Sequence, residues 1–297
     1  MNVLKVSKEK ITKPIFSANG VYFNGELINN YGDIDRNNYH EDPLHLHKKF
    51  GLIVPATNTT MEKEIWSILI NNHHVASLRN IGFHTSNVVT PKPEIKNEID
   101  REFYKKSFLA GLKDAVDIVK LSDPDYLILG MSLEHILLGI DEVAAPVNDA
   151  IATTDLHWST CHAAIDSALR KYQAKNIGII TPFEAHGNAS ARKMFCDLGY
   201  NVVADVGLAC GNTQHIAHIP DDLKKKAILD LLDAEGNKLD AIVQCGTNMS
   251  FVNLAEALEP RLGIPLLSIN AVVLWHALRT NGISDKLVSA TRIFRDH

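Results

Sequence analysis

From Phe50 onward the chain alternates short apolar runs with longer stretches whose apolar residues recur at helical spacing. This constrains the fold more than any other feature. Parallel strands need a crossover of a dozen or more residues between them, and helices supply it. The runs predict strands at Gly51–Pro55, His74–Leu78, Tyr126–Leu129, Asn176–Thr181, Asn201–Asp205, Ala241–Gln244 and Pro265–Ser268. The periodic stretches predict helices at Thr60–Asn71, Glu98–Leu121, His162–Lys171, Ala189–Leu198, Asp221–Ala234 and Val252–Arg261. Such a pattern reads as an α/β fold of βαβ units, in which ligands gather at the carboxyl ends of the strands.

Two segments of the chain repeat. Phe50-Gly51-Leu52-Ile53-Val54-Pro55 matches Ile177-Gly178-Ile179-Ile180-Thr181-Pro182, and Asp125-Tyr126-Leu127-Ile128-Leu129-Gly130 matches Asp240-Ala241-Ile242-Val243-Gln244-Cys245. Any two parallel strands share some likeness. Read as a duplication with loops of different length, the matches put Gly130 and Cys245 at equivalent strand ends, facing one another across a cleft between halves.

Residues 1–47 stand apart as a polar, Asn- and Asp-rich extension. Their one hairpin signal is Val21-Tyr22-Phe23-Asn24-Gly25-Glu26-Leu27-Ile28, with Asn-Gly at the turn. The extension reads as an arm that packs on the body or on a second subunit, which suits a homodimer.

Composition narrows the function. A net charge of −5 gives no reason to expect nucleic acid or an anionic membrane surface as partner. Met1–Lys10 has no secretory apolar core, and no apolar run reaches the roughly 18 residues of a membrane helix. Four scattered cysteines (Cys161, Cys196, Cys210, Cys245) form no C-x-x-C pair and read as free thiols in the cytoplasm, with Cys196 a packing residue within a helix.

Two segments offer chemistry. The turn from Pro55 to Glu62 carries Thr57 and Asn58 ahead of a helix, where free N–H groups favour an anion such as a carboxylate; simple helix capping is the alternative. The segment Gln244-Cys245-Gly246-Thr247-Asn248 puts a thiol between strand and helix, where orphan N–H groups lower a thiol pKa; a buried structural cysteine is the alternative. Gly246 lets the backbone approach a ligand. Fourteen histidines invite a metal, but His45/His47, His73/His74 and His215/His218 complete no ligand signature, so no metal is expected. No dinucleotide or P-loop glycine motif occurs, and Ser132 lacks a nucleophile elbow, which leaves it a hydrogen-bond donor.

From about Lys49 to Ile283 the chain resembles the aspartate/glutamate racemase superfamily, in its maleate isomerase and arylmalonate decarboxylase branch. The resemblance is carried by Gly51-Leu52-Ile53-Val54-Pro55 with Asn58, Gly130-Met131-Ser132-Leu133, Thr181-Pro182-Phe183, Cys245-Gly246, Arg261-Leu262-Gly263-Ile264-Pro265 and Trp275-His276-Ala277-Leu278-Arg279. It implies two pseudo-symmetric Rossmann-like halves, 48–160 with 267–297 and 161–266, enclosing a site that needs no cofactor. It also implies a thiol at each equivalent strand end in racemases and isomerases. Here only Cys245 is present and Gly130 takes the other place, as in the decarboxylase. Substrate contacts would come from Thr57, Asn58, Gly130, Met131, Ser132, Thr181, Phe183, Gly246 and Thr247. Met131 stands where the decarboxylase has a hydroxyl residue and Phe183 where it has a tyrosine. Glu134 and His135 are further acid/base candidates.

The expectation is a lyase or isomerase acting on a small carboxylate, dicarboxylate or malonate-like, through an enediolate that Cys245 alone protonates. Maleate-type isomerisation or racemisation is the alternative within the superfamily. A non-catalytic carboxylate-binding protein is the alternative outside it.

Overall fold

A computed structural model describes residues 15–17, 20–23, 26–27, 44–45, 47–90, 97–152, 154–233 and 238–297. The chain divides into two units, Met1–Asp42 and Pro43–His297. In the first, β1 (Ile15–Ser17), β2 (Gly20–Phe23) and β3 (Glu26–Leu27) form an antiparallel sheet. Tyr22 pairs with Leu27 and Phe23 with Glu26, the two-residue connection that Asn-Gly encodes; Asn24, Gly25 and Ile28 themselves lie outside the described residues.

The second unit holds two parallel four-stranded sheets. The first contains β4 (Lys48–Pro55), β5 (Ile81–Val88), β6 (Tyr126–Leu129) and β7 (Trp158–Thr160), in the order β5-β4-β6-β7. The second contains β8 (Asn176–Thr181), β9 (Asn201–Gly207), β10 (Ala241–Gln244) and β11 (Leu266–Ser268), in the order β9-β8-β10-β11. Numbered within each half, both sheets run 2-1-3-4, so the repeat seen in sequence is a repeat of topology.

The backbone carries the equivalence down to single bonds. Asp125 N donates to Lys49 O, and Asp240 N to Asn176 O. Each aspartate returns its carboxylate to the facing strand, Asp125 to Lys49 N and Asp240 to Asn176 N. At the far end Gly130 N donates to Ile53 O at 2.7 Å and Cys245 N to Ile180 O at 3.0 Å. Gly130 and Cys245 are therefore equivalent positions. In each sheet they follow the third strand beside the first, the point where chain order reverses and open α/β sheets place ligands.

Helices cover the sheets. α1 (Met61–Asn71) and α2 (Glu98–Lys120) flank β5; α3 (Leu133–Leu138) and α4 (Ile140–Ile151) follow β6, parted by Gly139 at φ +108°. α5 (Cys161–Lys171), α6 (Ala185–Asp197), α7 (Asp221–Asp233) and α8 (Val252–Leu262) continue the alternation, before α9 (Ile269–Thr280) and the short α10 (Arg292–Asp296). α9 packs on α1, α5 and strands of both sheets, and Ile269–Trp275 are all buried. A helix apolar on every side belongs inside, and each fully buried aliphatic side chain contributes about 1.5–3 kcal/mol of burial free energy.

One predicted strand is corrected. His74–Leu78 ends in a 3-10 turn, Ala76–Leu78, and the strand lies at Ile81–Val88. β5 is an edge strand that exposes His84 and Asn87, so its sequence lacks the apolar run that marks central strands. Cys196 is also corrected: it is exposed on α6, with no packing role.

Candidate active site

The loops at the carboxyl ends of β4, β6, β8 and β10 meet, and hydrogen bonds latch them together. Thr247 Oγ1 donates to Gly130 O at 3.0 Å, and Gly246 N donates to Ser132 Oγ at 3.2 Å. Asn58 Nδ2 donates to Thr247 Oγ1 at 3.0 Å. Asn248 ties the ring shut: its Oδ1 accepts from Thr59 N and its Nδ2 donates to Thr57 O and Thr213 O. Gly246 sits at φ +94°, and a Cβ there would come within 2.6 Å of Pro182, so only glycine fits.

The helix-start turn behaves differently from the anion site expected of it. Asn58 Oδ1 accepts from Thr60 N and Met61 N, each at 3.0 Å, and Thr59 N is taken by Asn248. Capping thus consumes those N–H groups.

Ser132 stands between two cavities. The larger, about 50 Å³, is lined by Thr57, Asn58, Ser132, Glu134, Phe183, Gly246 and Thr247 from the sequence-predicted set. Thr90, Tyr104, Thr213 and Asn248 complete its polar lining, and no Lys, Arg or His is among its lining residues. The smaller, about 10 Å³, is lined by Ser132, His135 and Cys245 together with Cys161 and His162.

Three expected contact residues line neither cavity. Thr181 is fully buried, donating to Asn188 Oδ1 and accepting from Phe183 N. Met131 packs in the apolar core behind the first sheet. Gly130 is closed off, since a Cβ on it would run into Met61 Sδ and Val54 Cγ1. A thiol at position 130 would enter that packing, which removes the expectation of a side chain there facing Cys245.

Burial sets the electrostatics. The Cys245 thiol is 1% exposed, and desolvation pushes its pKa up to about 12. The lowered value expected from a helix start does not arise, because α8 begins only at Val252. The first N–H groups there, Phe251 N and Val252 N, donate to Glu64 Oε1 from the other half. Cys161, the first residue of α5, is pushed up as well, by burial, by neighbouring Cys245 and by Glu134.

Burial lowers His135 to about 3, with His162 adding to it, and lowers His162 to about 4; their rings lie 4.8 Å apart. Both imidazoles are neutral near pH 7, and His135 Nε2 and His162 Nδ1 find no partner among the described residues. Burial raises Glu134 to about 7. Its Oε1 accepts from Tyr104 O–H at 3.3 Å, and Tyr104, itself pushed up by burial and by Glu134, stays protonated.

Cys161, His162 and Tyr104 were not singled out from sequence as site residues, and Asn248 was named only as the end of the segment that carries Cys245. Cys161 had a findable signal, a thiol directly after the helix-capping Thr160, which accepts from Ala163 N. Tyr104 lies on α2 and reaches the site only through tertiary packing. Among the described residues no group of three His, Cys, Asp or Glu side chains could hold a metal ion; His215 and His218 stack at 5.6 Å.

Two parallel α/β halves of identical strand order, joined at their strand ends around buried thiols, define the racemase-like class of α/β proteins. The model of the arylmalonate decarboxylase family matches residues 129–294, more than half of the sequence, and the chain belongs to that family. Among solved structures it resembles the maleate cis-trans isomerase of Nocardia farcinica bound to Tris, at 21% identity over 84% of this chain and 98% of that one, TM-score 0.73. A maleate isomerase variant from Pseudomonas putida S16 with maleate matches at 18% identity, 84% and 97% coverage and TM-score 0.73. Arylmalonate decarboxylase matches at 16% identity, 84% and 100% coverage and TM-score 0.65. No curated protein sequence matches the chain significantly.

Proposed function

We propose that the chain is a cofactor-independent lyase or isomerase in which Cys245 delivers a proton to the enediolate of a small carboxylate. One observation carries this reading: Cys245 occupies the strand-end position equivalent to Gly130 and holds a thiol kept protonated by burial. A protonated thiol is an acid, and an enediolate is basic enough to take its proton. As a lyase, the substrate's carbon–carbon bond to one carboxylate breaks, carbon dioxide leaves, and the pair of electrons stays on the α-carbon and its remaining carboxylate. That carbon takes the thiol proton, and solvent reprotonates the thiolate.

The enediolate oxygens need donors at the moment charge develops. Ser132 Oγ accepts from Gly246 N, and its own proton has no acceptor among the described residues. A ligand oxygen that displaced this bond would gain both donors. Thr57, Thr90 and Thr213, each with a hydroxyl to offer, line the same cavity. Phe183 contributes an apolar wall there and no donor. Gly130 brings no second thiol, and the Cys161 thiol beside Cys245 donates to Leu129 O, which argues for proton delivery to one face of the substrate and against two-base racemisation. Maleate-type isomerisation through a first-half thiol is disfavoured for the same reason.

A carboxylate-binding protein without catalysis is favoured by a single feature: Cys245 lines the smaller cavity while Gly246 and Thr247 line the larger. Turnover separates the two readings, as carbon dioxide release from a malonate or as exchange of an α-hydrogen in deuterated water. Either one shown by the wild type and abolished by Cys245→Ala supports the enzyme; binding with neither supports the carrier.

The expected boundary at 266/267 falls inside β11, which pairs with β10, so the halves we propose are 48–160 with 269–297 and 161–268, the second contributing the thiol. Four free cysteines suit a reducing cytoplasm, and no helix among the described residues is long and apolar enough to cross a membrane. The extension over residues 1–47 is proposed as an arm that packs on the body or on a second subunit, which suits a homodimer.

A further inference from the structure

We propose that His162 returns a proton from solvent to the Cys245 thiolate, through one water that His135 orients in the smaller cavity. The proposal rests on the reading of Cys245 as the proton donor and supplies the route by which its proton is replaced. Each turnover leaves a thiolate at a residue 1% exposed, in a cavity walled by Ile136, Ile165, Met194, Phe195 and Ile269. His135 and His162 line the same cavity, and one nitrogen of each, His135 Nε2 and His162 Nδ1, is buried without a partner among the described residues.

The hydrogen bonds decide which of these nitrogens donates. His135 Nδ1 lies 3.2 Å from Met131 O, which can only accept, so Nδ1 carries the proton and Nε2 offers a lone pair. His162 Nε2 lies 3.4 Å from Thr160 Oγ1, and that oxygen already accepts from Ala163 N. The Thr160 hydroxyl donates to Nε2, which leaves the His162 proton on Nδ1. The two rings, 4.8 Å apart, thus pair a free donor with a free acceptor. A cavity of about 10 Å³ has room for about one water, and buried waters are held by about two to four polar partners. The partners here are His162 Nδ1–H, His135 Nε2 and the Cys245 sulfur.

In the return step a solvent proton adds to His162 Nε2, Nδ1 passes its proton to the water, and the water passes one of its own to the Cys245 sulfur. The ring then exchanges its Nε2 proton, through solvent, for one on Nδ1. His162 is half-buried and reaches solvent, whereas His135 is 2% exposed and serves to orient. Burial holds His162 neutral between turnovers, while Asp141 and Asp166 favour its charged form, and a newly formed thiolate would add to their pull. The route also explains why Cys245 lines the smaller cavity while Gly246 lines the larger: the thiol is reprotonated from the side of Ser132 away from the substrate.

The test is rapid-quench measurement of carbon dioxide release from phenylmalonate and methylmalonate. Loss of the return route leaves the first turnover intact and slows every later one. His162→Phe should therefore release one equivalent at the wild-type rate and then settle to a steady state lowered about 100-fold, the low end of what a positioned proton-transfer group contributes. Imidazole added to the solution should restore part of the lost rate. His135→Phe should show the same burst with a smaller loss, and His135→Gln, which keeps a polar group for the water, should recover part of it. The intact first turnover shows that each variant is folded. Steady-state rates unmoved in both Phe variants, or first and later turnovers that fall together, overturn the proposal and leave Cys245 standing as the donor. No release from either malonate by the wild type overturns both.

Discussion

The two cavities beside Ser132 are built from neighbouring residues and have opposite character. Glu134 faces the larger one and His135 the smaller, although the two are consecutive on α3. The larger cavity sets hydroxyls, amides and the Glu134 carboxyl among Pro55, Leu133, Phe183 and Ile216; the smaller holds two thiols and two imidazoles amid Ile136, Ile165, Met194, Phe195 and Ile269. Desolvation acts on both, and what it does depends on the group. It holds protons on the carboxyl and the thiols and strips them from the imidazoles. One helix turn thereby sets a proton-bearing acid and a proton-free base back to back.

The sharpest way to break this contrast is through the thiols. Cys245→Ala should lower turnover about 10³-fold, in the range set by loss of a positioned acid. Cys161→Ala, in the same cavity but bonded to Leu129 O, should retain activity within about 10-fold. Steady-state turnover or α-hydrogen exchange measures both, and equal losses would mean that the thiols act as a pair.

The next largest effects are on stability against pH, with opposite signs at adjacent residues. Glu134 is raised from 4.5 to about 7, so between those values the folded chain holds a proton that the unfolded chain has released. Its contribution is most favourable below pH 4.5 and is lost as pH rises towards 7, about 3 kcal/mol in all. Glu134→Gln should therefore melt several degrees above the wild type at pH 8 and level with it at pH 4. His135, lowered from 6.5 to about 3, refuses a proton that the unfolded chain accepts below pH 6.5. Stability falls with pH from there, and His135→Gln should shift acid unfolding to lower pH, followed by circular dichroism.

The smallest expected effect is Ser132→Ala, which removes the partition between the cavities. Gly246 N would lose its acceptor, costing about 1 kcal/mol in urea unfolding. Affinity for a small carboxylate should fall with it if Ser132 is a donor to ligand.

Much of this was legible from sequence. β6, β8 and β10 fall at their predicted bounds because central parallel strands are buried on both faces and read as unbroken apolar runs. The repeat was legible for the same reason, and it located Gly130 and Cys245. α9 was missed because a helix apolar all round has no amphipathic period, and β7 because three residues leave no pattern. The direction of a side chain at Gly130, the consumption of the α1 N–H groups by Asn58 and Asn248, and the arrival of Tyr104 depend on packing between distant segments. Local spacing does not encode them. The expected low pKa of Cys245 failed because a strand end was read as a helix start.

Glu64 has a consequence for how the two halves could have come to live together. This residue of α1 caps α8 in the opposite half and also accepts from Asn270 Nδ2 at 2.7 Å. The second half thus borrows the terminator of one of its own helices from the first. Whatever independence two copies of an ancestral unit once had, a half expressed alone would now expose a bare helix end and, on the other side, strand a buried carboxylate.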